Sequence, residues 1–79
     1  MRLLDGDNDQ KLDEVFLYLT KSEAKELMDS LKGLLQSPIG NHSHISDEDY
    51  KKEITVCIYD KKMLDGFSER SKNLILKDE

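Results

Sequence analysis

The sequence has a single cysteine, Cys57, so no internal disulfide can staple it, and only one proline and four glycines among 79 residues. With glycine that scarce there is no phosphate-cradling loop and no flexible linker, and no repeat or low-complexity stretch interrupts the chain. The longest unbroken apolar run, residues 15–19, falls far short of the roughly 18 residues that a membrane-spanning helix needs. Positive charge is in deficit too. Twelve Lys and Arg face 17 Asp and Glu, for a net charge of −5 and a pI near 5.0. The average surface potential therefore repels phosphate backbones and anionic lipid, which disfavours nucleic acid and membrane as partners. The segment Met1-Arg2-Leu3-Leu4 turns acidic at Asp5 instead of continuing as an apolar leader, and with one thiol the expectation is a cytoplasmic protein.

What is present is a globular balance, 37% charged and 37% hydrophobic, with the apolar residues in periodic segments. The expectation is one small domain over residues 1–79, near the lower limit at which a single core outweighs chain entropy, which keeps a homodimer open.

The most informative stretch is residues 15–35, where the apolar period changes from two to about 3.6. The change falls on Thr20 with Glu23 three residues later, a capping box that marks a helix start. The pattern predicts a strand over about 13–20, with Val15, Leu17 and Leu19 on one side and Phe16 and Tyr18 on the other. A helix follows over about 21–36, its stripe of Ala24, Leu27, Met28, Leu31, Leu34 and Leu35 packed on the sheet. The stretch from Ser37 through Pro38 and Gly40 to Asn41 stops it. A short first strand lies within residues 1–5, with Asp5-Gly6-Asp7-Asn8-Asp9 as its turn. Residues 42–46 and 53–59 read as a hairpin joined by the polar connection 47–52, and a second, short helix is expected over about 66–76. The fold class is α/β of the α+β type: a two-layer sandwich with a mainly antiparallel sheet of three or four strands, one long and one short helix, in the order (β)βαββα.

Facing Ile45 and Ile54 inward sets a register that also pairs Ser43 with Val56 inside, and brings His42 opposite Cys57 and His44 opposite Thr55 on the outer face. That face, with Phe16, Tyr18 and Tyr59, is the candidate partner-binding surface, because aromatic and imidazole side chains suit contact. A second chemistry uses His42, His44 and Cys57 as ligands for zinc or copper, since H-x-H on a strand projects both rings to one side; Glu53 or Asp47 would supply a fourth ligand. The competing reading of these histidines is ordinary half-exposed polar residues. Asp5-Gly-Asp7-Asn-Asp9 begins like a calcium loop, but Gln10 replaces the required glycine and Phe16 the bidentate glutamate, which leaves a turn. Asp47-Glu48-Asp49 could meet a basic toxin as an immunity-type inhibitor does, or simply be a solvated hairpin tip. Ser43 lies between the histidines but faces inward and follows no nucleophile turn, so no enzyme is expected.

The arrangement Leu19-Thr20, Glu23-Ala24, Glu26-Leu27, Pro38, His42-Ser-His44-Ile45 and Glu53-Ile-Thr-Val56-Cys-Ile58-Tyr59 resembles a group of short bacterial proteins over about residues 15–60. The resemblance implies no activity, catalytic residue or cofactor. The leading expectation is a noncatalytic protein-binding module that self-associates through an open sheet face or edge. A metal-binding protein and an acidic toxin inhibitor are the alternatives.

Overall fold

The structure is a computed structural model that describes residues 1–37 and 41–79; the expected helix stop at Pro38 and Gly40 lies outside the described residues. The chain divides into two compact units, Tyr18–Asp60 and a second assembled from Met1–Leu17 with Lys61–Glu79. Among the described residues it is an α+β fold with two helices and two antiparallel pairs of strands, and the element order is ββαββα.

In the unit Tyr18–Asp60, helix α1 (Lys21–Gln36) starts where the capping box places it. Thr20 is extended, its hydroxyl accepts from the Glu23 amide at 3.2 Å, and its own amide donates to the Glu23 carboxylate at 2.8 Å. Two amides that the helix leaves unpaired are thereby satisfied. Strands β3 (His42–Ser46) and β4 (Glu53–Cys57) pair antiparallel in the register His42 to Cys57, Ser43 to Val56, His44 to Thr55 and Ile45 to Ile54. Ile45 is buried and Ser43, Ile54 and Val56 are half-buried, whereas His42, His44, Thr55 and Cys57 are exposed. Alternation thus gives the hairpin an inner and an outer face, and α1 packs against β3. The strand expected to run to Tyr59 stops at Cys57.

The connection between β3 and β4 is held by Asp47. Its carboxylate accepts from the amides of Lys51 (2.8 Å) and Lys52 (3.2 Å), while Tyr50 takes a left-handed φ of 55°.

The apolar stripe of α1 is covered less than its pattern predicts. Leu34 is buried and Leu27 half-buried, but Ala24, Met28, Leu31 and Leu35 are exposed. The inward line runs through Glu23, Leu27, Ser30 and Leu34, because a hairpin of two strands covers a narrower arc of helix than six apolar positions span. Gly33 lies on the exposed side with an ordinary backbone, and a Cβ there would meet nothing within 4 Å. No close approach needs it. Gly33→Ala is therefore expected to raise stability by about 0.5–1 kcal/mol, read as a higher urea midpoint at unchanged slope.

In the other unit, β1 (Leu3–Leu4) pairs antiparallel with β2 (Lys11–Leu12). The expected strand over 13–20 is not formed. The turn after Leu4 is tight: the Asp5 amide donates to the Gln10 carbonyl at 2.8 Å, and the Asp9 amide to the Asp5 carbonyl at 2.9 Å. That closure sets Leu4 against Lys11, so β1 is spent on residues 11–12 and residues 13–19 are left without a ladder partner. The four strands thus form two separate pairs.

Helix α2 (Glu69–Lys77) begins three residues later than expected, because Gly66 has a φ of 91°, outside helical space, and Ser68 caps the helix by accepting from the Ser71 amide. Its buried face is Leu74 and Ile75. Two arginines tie it to the N-terminal hairpin. Arg2 donates from Nε to the Leu74 carbonyl (2.9 Å) and from Nη2 to the Ile75 carbonyl (3.2 Å), and lies 3.7 Å from the Asp78 carboxylate. Arg70 donates to the Asp9 carbonyl at 3.1 and 3.2 Å and to the Glu79 carbonyl. No helix among the described residues is long and apolar enough to cross a membrane.

Candidate interaction surface

The outer face of the β3–β4 hairpin brings two of the expected contact residues together. His42 and His44 stand two positions apart on one strand, so both rings project to one side; their centroids are 4.9 Å apart and the rings meet edge to face. His44 is also clasped from β4. Its Nδ1 lies 2.8 Å from the Thr55 hydroxyl oxygen and 2.7 Å from a Glu53 carboxylate oxygen. A carboxylate oxygen accepts, so in the contact with Glu53 the His44 Nδ1 is the donor. The clasp fixes the orientation of one imidazole, and the other leans on it.

The same geometry bears on the zinc or copper reading. The register sets Cys57 across from His42, yet among the described residues no group of three or more His, Cys, Asp and Glu side chains is arranged to hold a metal ion. Glu53, expected as a possible fourth ligand, instead holds a ring nitrogen of His44. The thiol of Cys57 is exposed and free.

Phe16 and Tyr18 are displayed differently. They belong to a run in which Val15 is 46%, Phe16 73%, Leu17 51% and Tyr18 90% exposed, and among the described residues no backbone group of residues 14–19 takes part in a strand ladder or a turn. Tyr59 is half-buried. The His42–His44 pair is the one ring–ring contact among the described residues, so Phe16, Tyr18 and Tyr59 are not stacked on the histidines.

The acidic segments are engaged with their own backbone. Asp5 accepts from the Asn8 side chain (3.0 Å) and from the amides of Asp7 (2.9 Å) and Asn8 (3.2 Å), which lowers its pKa below the ordinary carboxylate value. This is a turn cap, as the broken calcium pattern implies. Asp47 is lowered in the same direction by the Lys52 and Lys51 amides, which leaves Glu48 and Asp49 as the exposed acids of the second turn. Both shifts are depressions, so the stabilisation they bring is complete above the unfolded carboxylate pKa and is lost as pH falls through the lower folded value. The expected outcome is selective: below the ordinary carboxylate range the amides of Asp7, Asn8, Lys51 and Lys52 exchange faster with solvent. Asp47→Asn would remove the acid dependence at Lys51 and Lys52 only, as NMR exchange would show.

Two features escaped sequence reasoning. The Glu53–His44–Thr55 clasp depends on side-chain rotamers, although Glu53 and Thr55 alternating on the strand opposite His44 was an available signal. The uncovered row Met28, Leu31 and Leu35 on α1 had none, since its spacing is that of a buried face. Compared with protein-family models, with curated proteins and with solved structures, the chain matches none, so its functional reading rests on this geometry.

Proposed function

We propose that this chain is a noncatalytic protein-binding module that works as a homodimer, in a reducing cytoplasmic setting that suits the free, exposed thiol of Cys57. The observation that carries this reading is the exposed run 15–18. Aromatic residues are only 6% of the chain, yet two of them stand almost bare in one run of four apolar residues. Apolar groups left in water at that density mark contact surfaces, where aromatic anchors contribute most. A small core makes the same point: the buried hydrophobic residues among those described are Leu34, Ile45, Leu74 and Ile75. Association offers burial that one chain of this size does not reach.

The test is sedimentation equilibrium over a wide concentration range on the intact chain and on the double variant Phe16→Ser/Tyr18→Ser. The native chain is expected to dimerise, and loss of the two anchors, each worth about 2 kcal/mol, to weaken the dimer by roughly 1,000-fold or more. Because the contact is apolar, added salt should leave the dimer intact, whereas a toxin inhibitor docking through Glu48 and Asp49 would dissociate with salt. A native chain that stays monomeric at high concentration would refute self-association.

A further inference from the structure

We infer that residues 15–19 form an antiparallel strand pair with the same residues of a second copy, centred on Leu17. This deepens the reading above and rests on it, naming the second copy as partner and fixing the register.

The segment has the composition and period of a strand, is separated from β2 by two residues and ends at the cap of α1, but has no ladder partner among the described residues. Unpaired backbone beside β-branched and aromatic side chains is a template for another strand. A two-fold axis can pass through an antiparallel pair at one position only, where a residue meets its own copy. With the axis at Leu17, Val15 lies opposite Leu19 of the second copy, Phe16 opposite Tyr18, and Leu17 opposite Leu17. Every apolar residue meets an apolar one, and the two aromatics face each other on one side of the ribbon. Just outside, Glu14 falls opposite Thr20, the extended cap of α1, and the pair ends there because Lys21 already belongs to the helix.

Neighbouring arrangements lose this match. Centring on Phe16 sets Asp13 against Leu19 and Glu14 against Tyr18, while centring on Tyr18 leaves Val15 without a partner, because its opposite position is Lys21, the first residue of α1. A parallel in-register pair would stack Asp13 on Asp13 and Glu14 on Glu14, like charges directly opposed. The self-complementarity is thus specific to one direction and one register.

The experiment uses the full chain with Cys57→Ser, so that each further variant carries one thiol, and oxidised glutathione as the oxidant. Leu17→Cys is expected to form an interchain disulfide about 10²-fold faster than Val15→Cys or Leu19→Cys alone, because facing thiols reach millimolar effective concentration. In an equimolar mixture of Val15→Cys and Leu19→Cys, the roughly half of the dimers that contain one of each should cross-link as fast as Leu17→Cys. Equal rates for all variants in a chain that still sediments as a dimer would overturn the strand pair and leave the binding-module reading standing. A monomer at every concentration would overturn both. Hydrogen exchange on the unmodified chain gives a second readout: protection of residues 15–19 should grow with concentration. Protection independent of concentration would place the segment against its own chain and overturn the inference.

Discussion

Ile45→Ala is expected to unfold the unit Tyr18–Asp60 under conditions where the native chain is folded. Ile45 is buried on the inner face of β3, paired with Ile54 and on the strand against which α1 packs. Truncating a buried isoleucine removes its transfer free energy and opens a cavity, together about 2–5 kcal/mol. In a large protein that is a serious loss; here the buried hydrophobic side chains of the unit are Leu34 and Ile45 among the described residues, and small domains have little stability to spare. Circular dichroism during urea titration should show the helical signal of α1 lost at a much lower midpoint. Ile45→Val, which removes one methyl, should cost about 0.5–1.5 kcal/mol and keep the fold. An alanine variant as stable as the native chain would mean that α1 does not depend on the hairpin.

Arg2→Ala is expected to release α2 from the N-terminal hairpin. The guanidinium donates to two carbonyls in the last turns of the helix, and the two differ in what remains after truncation. The Leu74 carbonyl keeps the Asp78 amide at 2.9 Å, whereas the Ile75 carbonyl loses its charged donor. Hydrogen bonds to charged groups contribute about 1.5–3 kcal/mol, so the loss should approach that range. Amide exchange through α2 should quicken, while exchange in α1 and the β3–β4 hairpin is unchanged. Arg2→Lys should rescue little, because a single ammonium cannot serve both carbonyls as the planar fork does. Equal acceleration in both units would show that Arg2 supports the whole chain rather than α2.

How legible the fold was depends on how local each cause is. Helix α1 was readable to the residue at its start because Thr20 and Glu23 carry the signal within four positions. The β3–β4 register was readable because burying Ile45 and Ile54 on one face fixes every other pair along a strand of period two. Residues 13–20 were misread as a formed strand for the opposite reason. Alternation records that a segment suits a sheet, but a strand exists only when another backbone accepts and donates to it, and the turn at Asp5 had already given β1 to residues 11–12. The exposed row on α1 has the same origin, since spacing alone does not tell how wide a cover the sheet provides. In the candidate surface, the juxtaposition of His42 and His44 followed from strand geometry, while the clasp on His44 was only half legible, since Glu53 and Thr55 alternate on the facing strand but their rotamers decide the contact.

The grip of Arg2 on Leu74 spans 72 residues of chain, whereas the β3–β4 hairpin closes on itself across its connecting turn. On a ribosome the two units would therefore mature in reverse order of their beginnings. The stretch 18–60 can collapse as soon as it emerges, while the docking of α2 on the β1–β2 hairpin waits until residues 69–77 are made. Until then residues 1–17 lack the helix that Arg2 grips, and chaperones and proteases would meet them while residues 18–60 are already folded.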